Sequence, residues 1–301
     1  MQFHQVLLVF IRNQFYHYSP VSSRDNLPVI NIKITAQESA MHNLETLARG
    51  AVEVATQAAE LISQSFEKSH QIIHKGAVDL VTEVDTASEQ LIKKELHARF
   101  PKIRFHGEEN GGDDWRTGEV WVVDPLDGTT NFANRLGHFA VSIALCNNGT
   151  PIAGAIVNPI NHETYHCWLG GGAFLNGAPI KTGNQSSLND TLAVTGFPYN
   201  RRENLDVIME RLKIILMHVQ CVRRLGSAAL DLCHIARGVF GVYWETNLKP
   251  WDIAAGSLLV TEAGGRVSRL DGSQMQLDSL ELLATNGILH QNVIDLLAPT
   301  L

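Results

Sequence analysis

One short stretch, WVVDPLDGTTN at residues 121–131, constrains the fold of this chain more than any other. An apolar run typical of a buried strand ends in two carboxylates, Asp124 and Asp127, which a glycine and two hydroxyls follow. Pro125 lacks an N–H and restricts the preceding residue to an extended conformation. Gly128 permits a tight turn in which backbone N–H groups can face an anion. The stretch predicts either a site built on a strand end or a plain turn in which each aspartate caps a local N–H.

Further carboxylates favour the first of these two interpretations. They lie where predicted strands end or helices begin, namely Asp79 and Asp85 in DLVTEVD, Glu108 and Glu109 in GEE, Glu245 in YWET and Asp252 in KPWD. A buried carboxylate without a partner is costly, so a fold that gathers several of them needs cations. Carboxylates, together with the backbone carbonyl of Leu126, are hard ligands that suit Mg²⁺ rather than zinc.

The hydrophobic pattern predicts helices and strands that are interleaved without a strict βαβα order. Apolar residues at three- and four-residue steps predict helices over residues 44–66, 85–96, 205–216, 226–237 and 252–265, and a short one at the C-terminus. Short β-branched or aromatic runs predict strands over residues 120–124, 140–146, 152–157, 163–169, 242–245 and 282–286. We therefore expect a layered α/β or α+β fold rather than a barrel.

The composition argues against a nucleic-acid-binding protein and against a membrane-spanning one. With 301 residues, 45% of them hydrophobic, the chain can bury the core of one large domain or two small ones. A net charge of -7 gives no basic footprint for nucleic acid. No apolar stretch approaches the length of about 18 residues that a membrane span requires. The four cysteines, Cys146, Cys167, Cys221 and Cys233, form no CxxC pair and indicate thiols of a reducing compartment, so we expect a cytoplasmic protein.

Residues 1–40 stand apart from the rest. Their apolar run, Val6 to Ile11, is short and has no preceding positive charge, so it is a poor signal peptide. Three interpretations stay open: a disordered tail, a weak targeting sequence, or a start placed upstream of a true start at Met41. We expect no catalytic role for this extension and place the catalytic domain at residues 41–301.

Five motifs, in this order, resemble the inositol monophosphatase family: DLVTEVD, GEE, WVVDPLDGTTNF, GSAALDL and KPWDIAAGSLLVTEAGG. This family comprises lithium-sensitive, magnesium-dependent phosphatases and includes fructose-1,6-bisphosphatase and the bisphosphate nucleotidases. The resemblance covers about residues 42–298. It implies a layered αβαβα sandwich, a homodimer, and two or three Mg²⁺ per subunit.

The resemblance also assigns roles to single residues. It maps a first metal site to Glu108, Asp124 and the Leu126 carbonyl, and a second to Asp124, Asp127 and Asp252, with a third, weaker ion near Glu108. It implies that Thr129 and Asp85 orient and deprotonate the attacking water, while the N–H groups of Gly128 and Thr129 hold the phosphate. Substrate contacts map to Asp127, Ser227, Ala228, Glu245 and Asp252, and Lys75 to a loop over the metals.

Other residues near the motifs receive structural interpretations. We expect Arg223 and Arg224 at a surface or dimer contact, His106 and His138 in structural roles, and Trp121 and Trp251 in the core.

The expected substrate is a small phosphorylated polyol, myo-inositol monophosphate first. Residues 129–132, TTNF, favour the monophosphatase branch, although Ala133 and Asn134 depart from the pattern usual there. A fructose-1,6-bisphosphatase or a bisphosphate nucleotidase on the same scaffold is the alternative. A regulatory protein that does not rely on turnover is a third, which the complete set of carboxylates disfavours.

Overall fold

A computed structural model describes the backbone of residues 27–68, 72–74 and 80–300, and the side chains of residues 43–68 and 82–300. The chain divides into two units, Met1–Ala40 and Met41–Leu301. Predictions for residues 1–26, Lys75 and Asp79 lie outside the described residues. In the first unit helix is assigned from Leu27 onward. The apolar pattern had indicated this helix only from Met41.

The described residues form seven α-helices: α1 Leu27–Phe66, α2 Glu83–Arg99, α3 Thr129–Ala133, α4 Leu205–Leu216, α5 Ala228–Ala236, α6 Pro250–Glu262 and α7 His290–Leu297. The strands are β1 Ile72–His74, β2 Leu80–Thr82, β3 Arg104–Gly107, β4 Gly111–Gly112, β5 Glu119–Asp127, β6 Ala140–Asn147, β7 Thr150–Asn158, β8 Glu163–Trp168, β9 Gly172–Leu175, β10 Ala178–Ile180, β11 Leu192–Thr195, β12 Cys221–Arg223, β13 Val242–Thr246, β14 Arg266–Ser268 and β15 Glu281–Thr285. Every strand named from the sequence is present, with its ends shifted by a few residues.

These strands form three sheets. The largest has the order β10-β9-β8-β7-β6-β5-β3-β4, the second has the order β12-β11-β13-β15-β14, and β1 pairs with β2. In the large sheet β5 runs parallel to β3 and antiparallel to β6. Hairpins connect β6 through β10, since consecutive strands there are antiparallel neighbours.

Strand β5 shows why helices cover both faces of the large sheet. Its side chains alternate, so Trp121 and Val123 pack with helices α1 and α2, whereas Val120 and Val122 pack with α5 and α6. All four are at most 1% exposed. A strand buried on both faces reads as a continuous apolar run, which explains the VWVV pattern.

The smaller sheet is covered in the same way. Val194, Tyr243 and Leu282 face the α5–α6 layer. On the opposite face Trp244 and Leu283 form a third core with residues of α4 and α7. From α1 and α2 to α4 and α7 the layers therefore run α-β-α-β-α, and the predicted αβαβα sandwich is confirmed.

The four cysteines are free thiols, three of them buried. Among the described residues, no helix is both long and apolar enough to cross a membrane.

Candidate active site

Asp124 stands at the centre of the site, in the carboxyl-terminal half of β5 and three residues before the end of this strand. It is 2% exposed, and its Oδ1 accepts a hydrogen bond from the Leu126 N–H at 3.0 Å. The pairing of β5 with β6 shifts register here, because Asp124 lies opposite Ser142 whereas Asp127 lies opposite Ala140. Residues two apart on β6 share a face, so this bulge puts both carboxylates on the same side of the sheet. That side is the one that faces α5 and α6.

The turn after β5 needs its glycine. Gly128 has φ 95°, and a Cβ there would lie 3.0 Å from the His138 carbonyl oxygen. Thr129 begins α3 directly after this turn. Its Oγ1 lies 2.8 Å from Asp85 Oδ1 and 3.1 Å from the Leu126 carbonyl oxygen. The single hydroxyl hydrogen can point to either acceptor, so Thr129 links the turn to helix α2.

Asp85 is held at the first turn of α2. The backbone N–H and the hydroxyl of Thr82 both donate to its Oδ2, at 2.9 and 2.6 Å. The sequence pattern predicts that this helix begins at Asp85, which is wrong: Thr82 is the N-cap, and Asp85 closes a capping box from the third helical position. Burial raises the pKa of Asp85, although these hydrogen bonds and that from Thr129 oppose the rise.

Asp127 meets the N-terminus of α5. Its Oδ2 accepts hydrogen bonds from Ser227 Oγ at 2.5 Å and from the Ala229 N–H at 2.8 Å. Ser227 is the N-cap of that helix, so one hydroxyl serves both the cap and the carboxylate. Burial raises the pKa of Asp127 to about 6, against the hydrogen bonds that favour its ionised form.

Asp252 occupies the first turn of α6. Pro250 opens this helix, and the Lys249 N–H donates to Asp252 Oδ2 at 2.8 Å. A carboxylate near a helix N-terminus is favoured by the helix dipole. Burial, and then the charge of Glu108, nevertheless hold the pKa of Asp252 well above its usual range.

Glu108 follows β3 in a loop that Glu89 positions. The Glu108 N–H bonds to the Val123 carbonyl at 3.1 Å. Glu89, buried on α2, accepts hydrogen bonds from the Glu109 N–H at 2.8 Å and from the Asn110 N–H at 3.1 Å. The sequence reasoning missed Glu89. Its spacing of four residues from Asp85, which places both on one helix face, is the signal that could have found it.

The electrostatics show that four predicted ligands are neighbours. Burial raises the pKa of Asp124 well above its usual range, and the negative charges of Glu108, Asp127 and Asp252 raise it further. Within the described part of the chain, no three His, Cys, Asp or Glu side chains already stand where they could hold a metal ion. The structure thus brings the four carboxylates together without gathering them into a coordination shell. As a donor set, carboxylate oxygens and a backbone carbonyl fit a hard cation such as Mg²⁺.

A second group of polar residues lies beside Asp127. Glu245, on β13, accepts a hydrogen bond from the Tyr243 hydroxyl at 2.7 Å, and burial raises its pKa to about 7. The positive charge of Arg224 lowers the pKa of both Glu245 and Asp127. Arg224 was expected at a surface or dimer contact. It is exposed, as expected for a surface residue, and its charge also acts on Asp127 and Glu245, two of the candidate substrate residues.

Asp231 is a further carboxylate of this group that sequence reasoning did not single out. It is 1% exposed, and burial and the charge of Glu245 hold its pKa well above its usual range. Its place in GSAALDL, one helical turn after Ser227, is the only signal of it in the sequence.

The remaining predicted residues have structural surroundings. His106 Nδ1 lies 2.9 Å from the Asp113 carbonyl oxygen, and its ring lies 5.8 Å from that of Trp251. His138 stacks on His234 at 6.0 Å, and burial lowers its pKa to about 4. Trp251 packs against the α5–α6 core.

Comparison with known proteins agrees with this geometry. The model of the Inositol monophosphatase family matches residues 43–300. The chain is 39% identical over 290 residues to phosphatase IMPL1, chloroplastic, of Arabidopsis thaliana, which covers 93% of this chain and 76% of that protein. It is 40% identical to an inositol-1-monophosphatase of Mesorhizobium japonicum, over 81% of this chain and 92% of that protein.

A solved structure shares the fold over nearly its whole length. The inositol monophosphatase of Anabaena superposes with a TM-score of 0.78 at 37% identity, covering 85% of this chain and 97% of that one. The chain therefore belongs to the inositol monophosphatase family and is a phosphatase.

Proposed function

We propose that this phosphatase is a Mg²⁺-dependent phosphomonoesterase that hydrolyses myo-inositol monophosphate, and related small sugar or polyol phosphates, to the free polyol and phosphate. One observation carries the proposal: Glu108, Asp127 and Asp252 all raise the pKa of buried Asp124. Neighbouring buried carboxylates raise one another's pKa, and bound cations would stabilise their ionised forms. The names of the relatives support inositol phosphate as the substrate.

The proposed metal ligands follow from the donor set. Glu108, Asp124 and the Leu126 carbonyl would hold one Mg²⁺, and Asp124, Asp127 and Asp252 a second, with a third near Glu108. When bound, these ions neutralise charge on the phosphate and make water a better nucleophile at neutral pH.

The chain's own residues then handle the proton. The Thr129 hydroxyl, 2.8 Å from Asp85, can pass its hydrogen to that carboxylate and accept one from the attacking water. Two hydrogen bonds from Thr82 keep Asp85 aimed at Thr129. The water oxygen bonds to phosphorus, the bond from phosphorus to the polyol oxygen breaks, and the departing oxygen takes up a proton from solvent while Asp85 returns its own proton to solvent. The N–H groups of Gly128 and Thr129 hold the phosphate oxygens during this step.

Substrate hydroxyls would be bound next to Asp127. Glu245, in its ionised form, can accept hydrogen bonds from two neighbouring hydroxyls, and Asp127, Asp252, Ser227 and Ala228 complete the contacts. With its pKa raised to about 7, Glu245 is only partly ionised at neutral pH. Binding of the polyol should therefore improve as the pH rises through this value.

One assay tests the proposal directly. Phosphate release is measured from inositol 1-phosphate, fructose 1,6-bisphosphate, adenosine 3',5'-bisphosphate and histidinol phosphate, each with Mg²⁺ and with EDTA. We expect Mg²⁺-dependent release, fastest from inositol 1-phosphate, and inhibition by millimolar Li⁺. A preference for either bisphosphate contradicts the substrate assignment. Mg²⁺-dependent release from none of the four would favour a regulatory role instead.

The proposed assembly and location rest on family resemblance and composition. We propose a homodimer located in the cytoplasm, with no nucleic-acid or membrane partner. Light scattering on the purified chain measures the mass, and a monomer at micromolar concentration would contradict the dimer.

A further inference from the structure

A cavity of about 450 Å³ lies away from all the residues discussed above as ligands or substrate contacts. It opens to the surface and is lined by the C-terminal half of α2, the loop that follows this helix, and strands β3 and β5. Its apolar wall consists of Leu96, Ile103, Phe105 and Trp121. A cavity of this size and character is within the range that binds small molecules.

The mouth of this cavity carries an excess of positive charge. Four basic side chains and His97 line it, against a single carboxylate, Asp113. Asp113 Oδ2 already accepts a hydrogen bond from the Phe105 N–H at 3.2 Å. Among the described residues, Lys93 and Lys102 take part in no ion pair, and Lys93 Nζ lies 5.5 Å from the centre of the Phe105 ring. Cations beside an apolar wall are complementary to a negatively charged ligand with an apolar body.

The apolar wall also contains an unsatisfied donor. Trp121 is 1% exposed, and its indole Nε1–H has no hydrogen-bond partner. A buried donor without an acceptor is uncommon in folded proteins, because it loses its hydrogen bonds to water and gains none. Because this nitrogen lies beneath the surface of the cavity, it is not itself a contact for a ligand, and the positive charges at the mouth remain the feature that favours an anion.

We propose that this cavity, lined by Lys93, Lys102, Phe105 and Trp121, binds a small organic anion with a flat apolar body. The anionic group lies at the mouth between Lys93 and Lys102, and the flat group lies against Pro101 and Ile103, the apolar lining residues that are not buried. The site is separate from the proposed active site, since it shares no residue with the carboxylates around Asp124. It touches the same two elements, however, because Trp121 precedes Asp124 on β5 and the helix α2 that lines the cavity carries Asp85 in its first turn.

The test uses a matched pair of fluorescent probes on the full-length chain. 8-Anilinonaphthalene-1-sulfonate has a flat apolar body and one negative charge, and N-phenyl-1-naphthylamine is the same body without the charge. Both are titrated in EDTA, so that no metal ion in the active site can bind the sulfonate. We expect saturable binding of the sulfonate at one site per chain, and binding of the neutral probe that is weaker and independent of salt.

Charge reversal locates the binding site. Lys93→Glu and Lys102→Glu should each weaken binding of the sulfonate about tenfold, since an attraction is replaced by a repulsion. Lys181→Glu, an exposed lysine beyond β10 at the opposite edge of the sheet, makes the same change in net charge and should leave binding unaltered. Equal losses in all three variants, or equal affinity for the two probes, would overturn the proposal. Neither outcome affects the proposed phosphatase function, which is measured with Mg²⁺ on other residues.

Discussion

Glu245 depends on two neighbours for its position. Tyr243 donates a hydrogen bond to its Oε2, and Gly196 leaves room beside its carboxylate. A Cβ at position 196 would lie 1.9 Å from Glu245 Oε2, so any side chain there must displace the carboxylate. Nothing in the sequence TGFP around Gly196 marks it, because the contact joins two strands that are far apart in the chain.

We expect Gly196→Ala to raise the KM for inositol 1-phosphate by about tenfold or more, because a carboxylate displaced by about 1 Å no longer fits the hydroxyls. Tyr243→Phe, which removes only the hydrogen bond, should shift KM in the same direction by less. Steady-state kinetics at saturating Mg²⁺ measures both. An unchanged KM in Gly196→Ala, with the melting temperature preserved, would contradict the proposed role of Glu245 in substrate binding.

Thr129 offers a matched pair of substitutions. Thr129→Val keeps the shape of the side chain and removes the hydroxyl that links it to Asp85, whereas Thr129→Ser keeps the hydroxyl. We expect kcat to fall by about 10²- to 10⁴-fold in the valine variant, the range that proton transfer contributes in enzymes. The serine variant should stay within about tenfold of the original chain. Similar kcat values for the two variants would contradict a role of this hydroxyl in the reaction.

At the scale of elements, α2 serves the site at two points. Its first turn carries Asp85, and one turn later Glu89 holds the loop of Glu108 through the N–H groups of Glu109 and Asn110. A single helix therefore fixes a carboxylate proposed as the base and a loop proposed to bind metal.

Glu89→Ala should raise the Mg²⁺ concentration for half-maximal activity by about 10- to 100-fold, the usual effect of removing a partner that orients a metal ligand. Activity at saturating Mg²⁺ should change much less. Glu95→Ala, on the same helix and outside this loop, is the control. If both variants require the same Mg²⁺ as the original chain, Glu89 does not position Glu108.

Helix α7 makes stability depend on pH. Its first residue, His290, is fully buried, and its two ring nitrogens lie 2.9 Å from the hydroxyls of Ser268 and Thr285. Burial lowers its pKa to about 4. The unfolded chain, in which this pKa is about 6.5, therefore binds the proton more readily. The stability that His290 contributes is present above about pH 6.5 and is lost as the pH falls toward 4.

We expect protonation of His290 to lower the free energy of unfolding by about 1 to 2 kcal/mol between pH 8 and pH 5. His290→Asn keeps polar groups at the position and abolishes the titration. Urea unfolding of both chains at the two pH values measures the difference. The variant should lose less stability than the original chain on acidification, even if it is less stable at pH 8, and equal losses would exclude His290 as a cause.

Elements with a strong local pattern could be predicted from sequence, and those held by distant partners could not. Strand β5 and helices α4 and α6 were predicted because their apolar periodicity is continuous. Strands β12 and β14, three residues each, are defined by pairing with β11 and β15 rather than by a pattern of their own. The predicted start of α2 was wrong for a local reason. Threonine and aspartate are both favourable N-cap residues, and only the backbone conformation shows that Thr82 is the cap. The carboxylates of the site were found because their motifs resemble a known family.

At the scale of the whole molecule, the carboxylate cluster that the proposed reaction needs lowers the stability of the folded chain. The raised pKa of Asp124 means that its ionised form costs stability at neutral pH. This cost shrinks as the pH falls below the raised pKa, and it is gone only near the unfolded value of about 3.9, below which both states are neutral.

Asp124→Asn should therefore melt at a higher temperature than the original chain in EDTA at pH 7, by about 2 to 4 °C for each kcal/mol of repulsion relieved. The amide oxygen can still accept the hydrogen bond from the Leu126 N–H, so the turn should survive. Phosphatase activity should fall by orders of magnitude, and added Mg²⁺ should stabilise the variant less than the original chain. Activity near that of the original chain would overturn the assignment of Asp124.

The bulge in β5 also determines which changes this chain can accept. Three steps along β5, from Asp124 to Asp127, match two steps along β6, from Ser142 to Ala140. Deleting Pro125 or Leu126 would leave two steps on each strand and restore a regular ladder, and the turn that presents the Leu126 carbonyl and holds Asp124 through the Leu126 N–H would be lost. We therefore expect substitutions in this segment to preserve the bulge, whereas insertions or deletions would remove it. Transfer of this motif to another protein would therefore require the same number of residues between Asp124 and Asp127, as well as the two carboxylates.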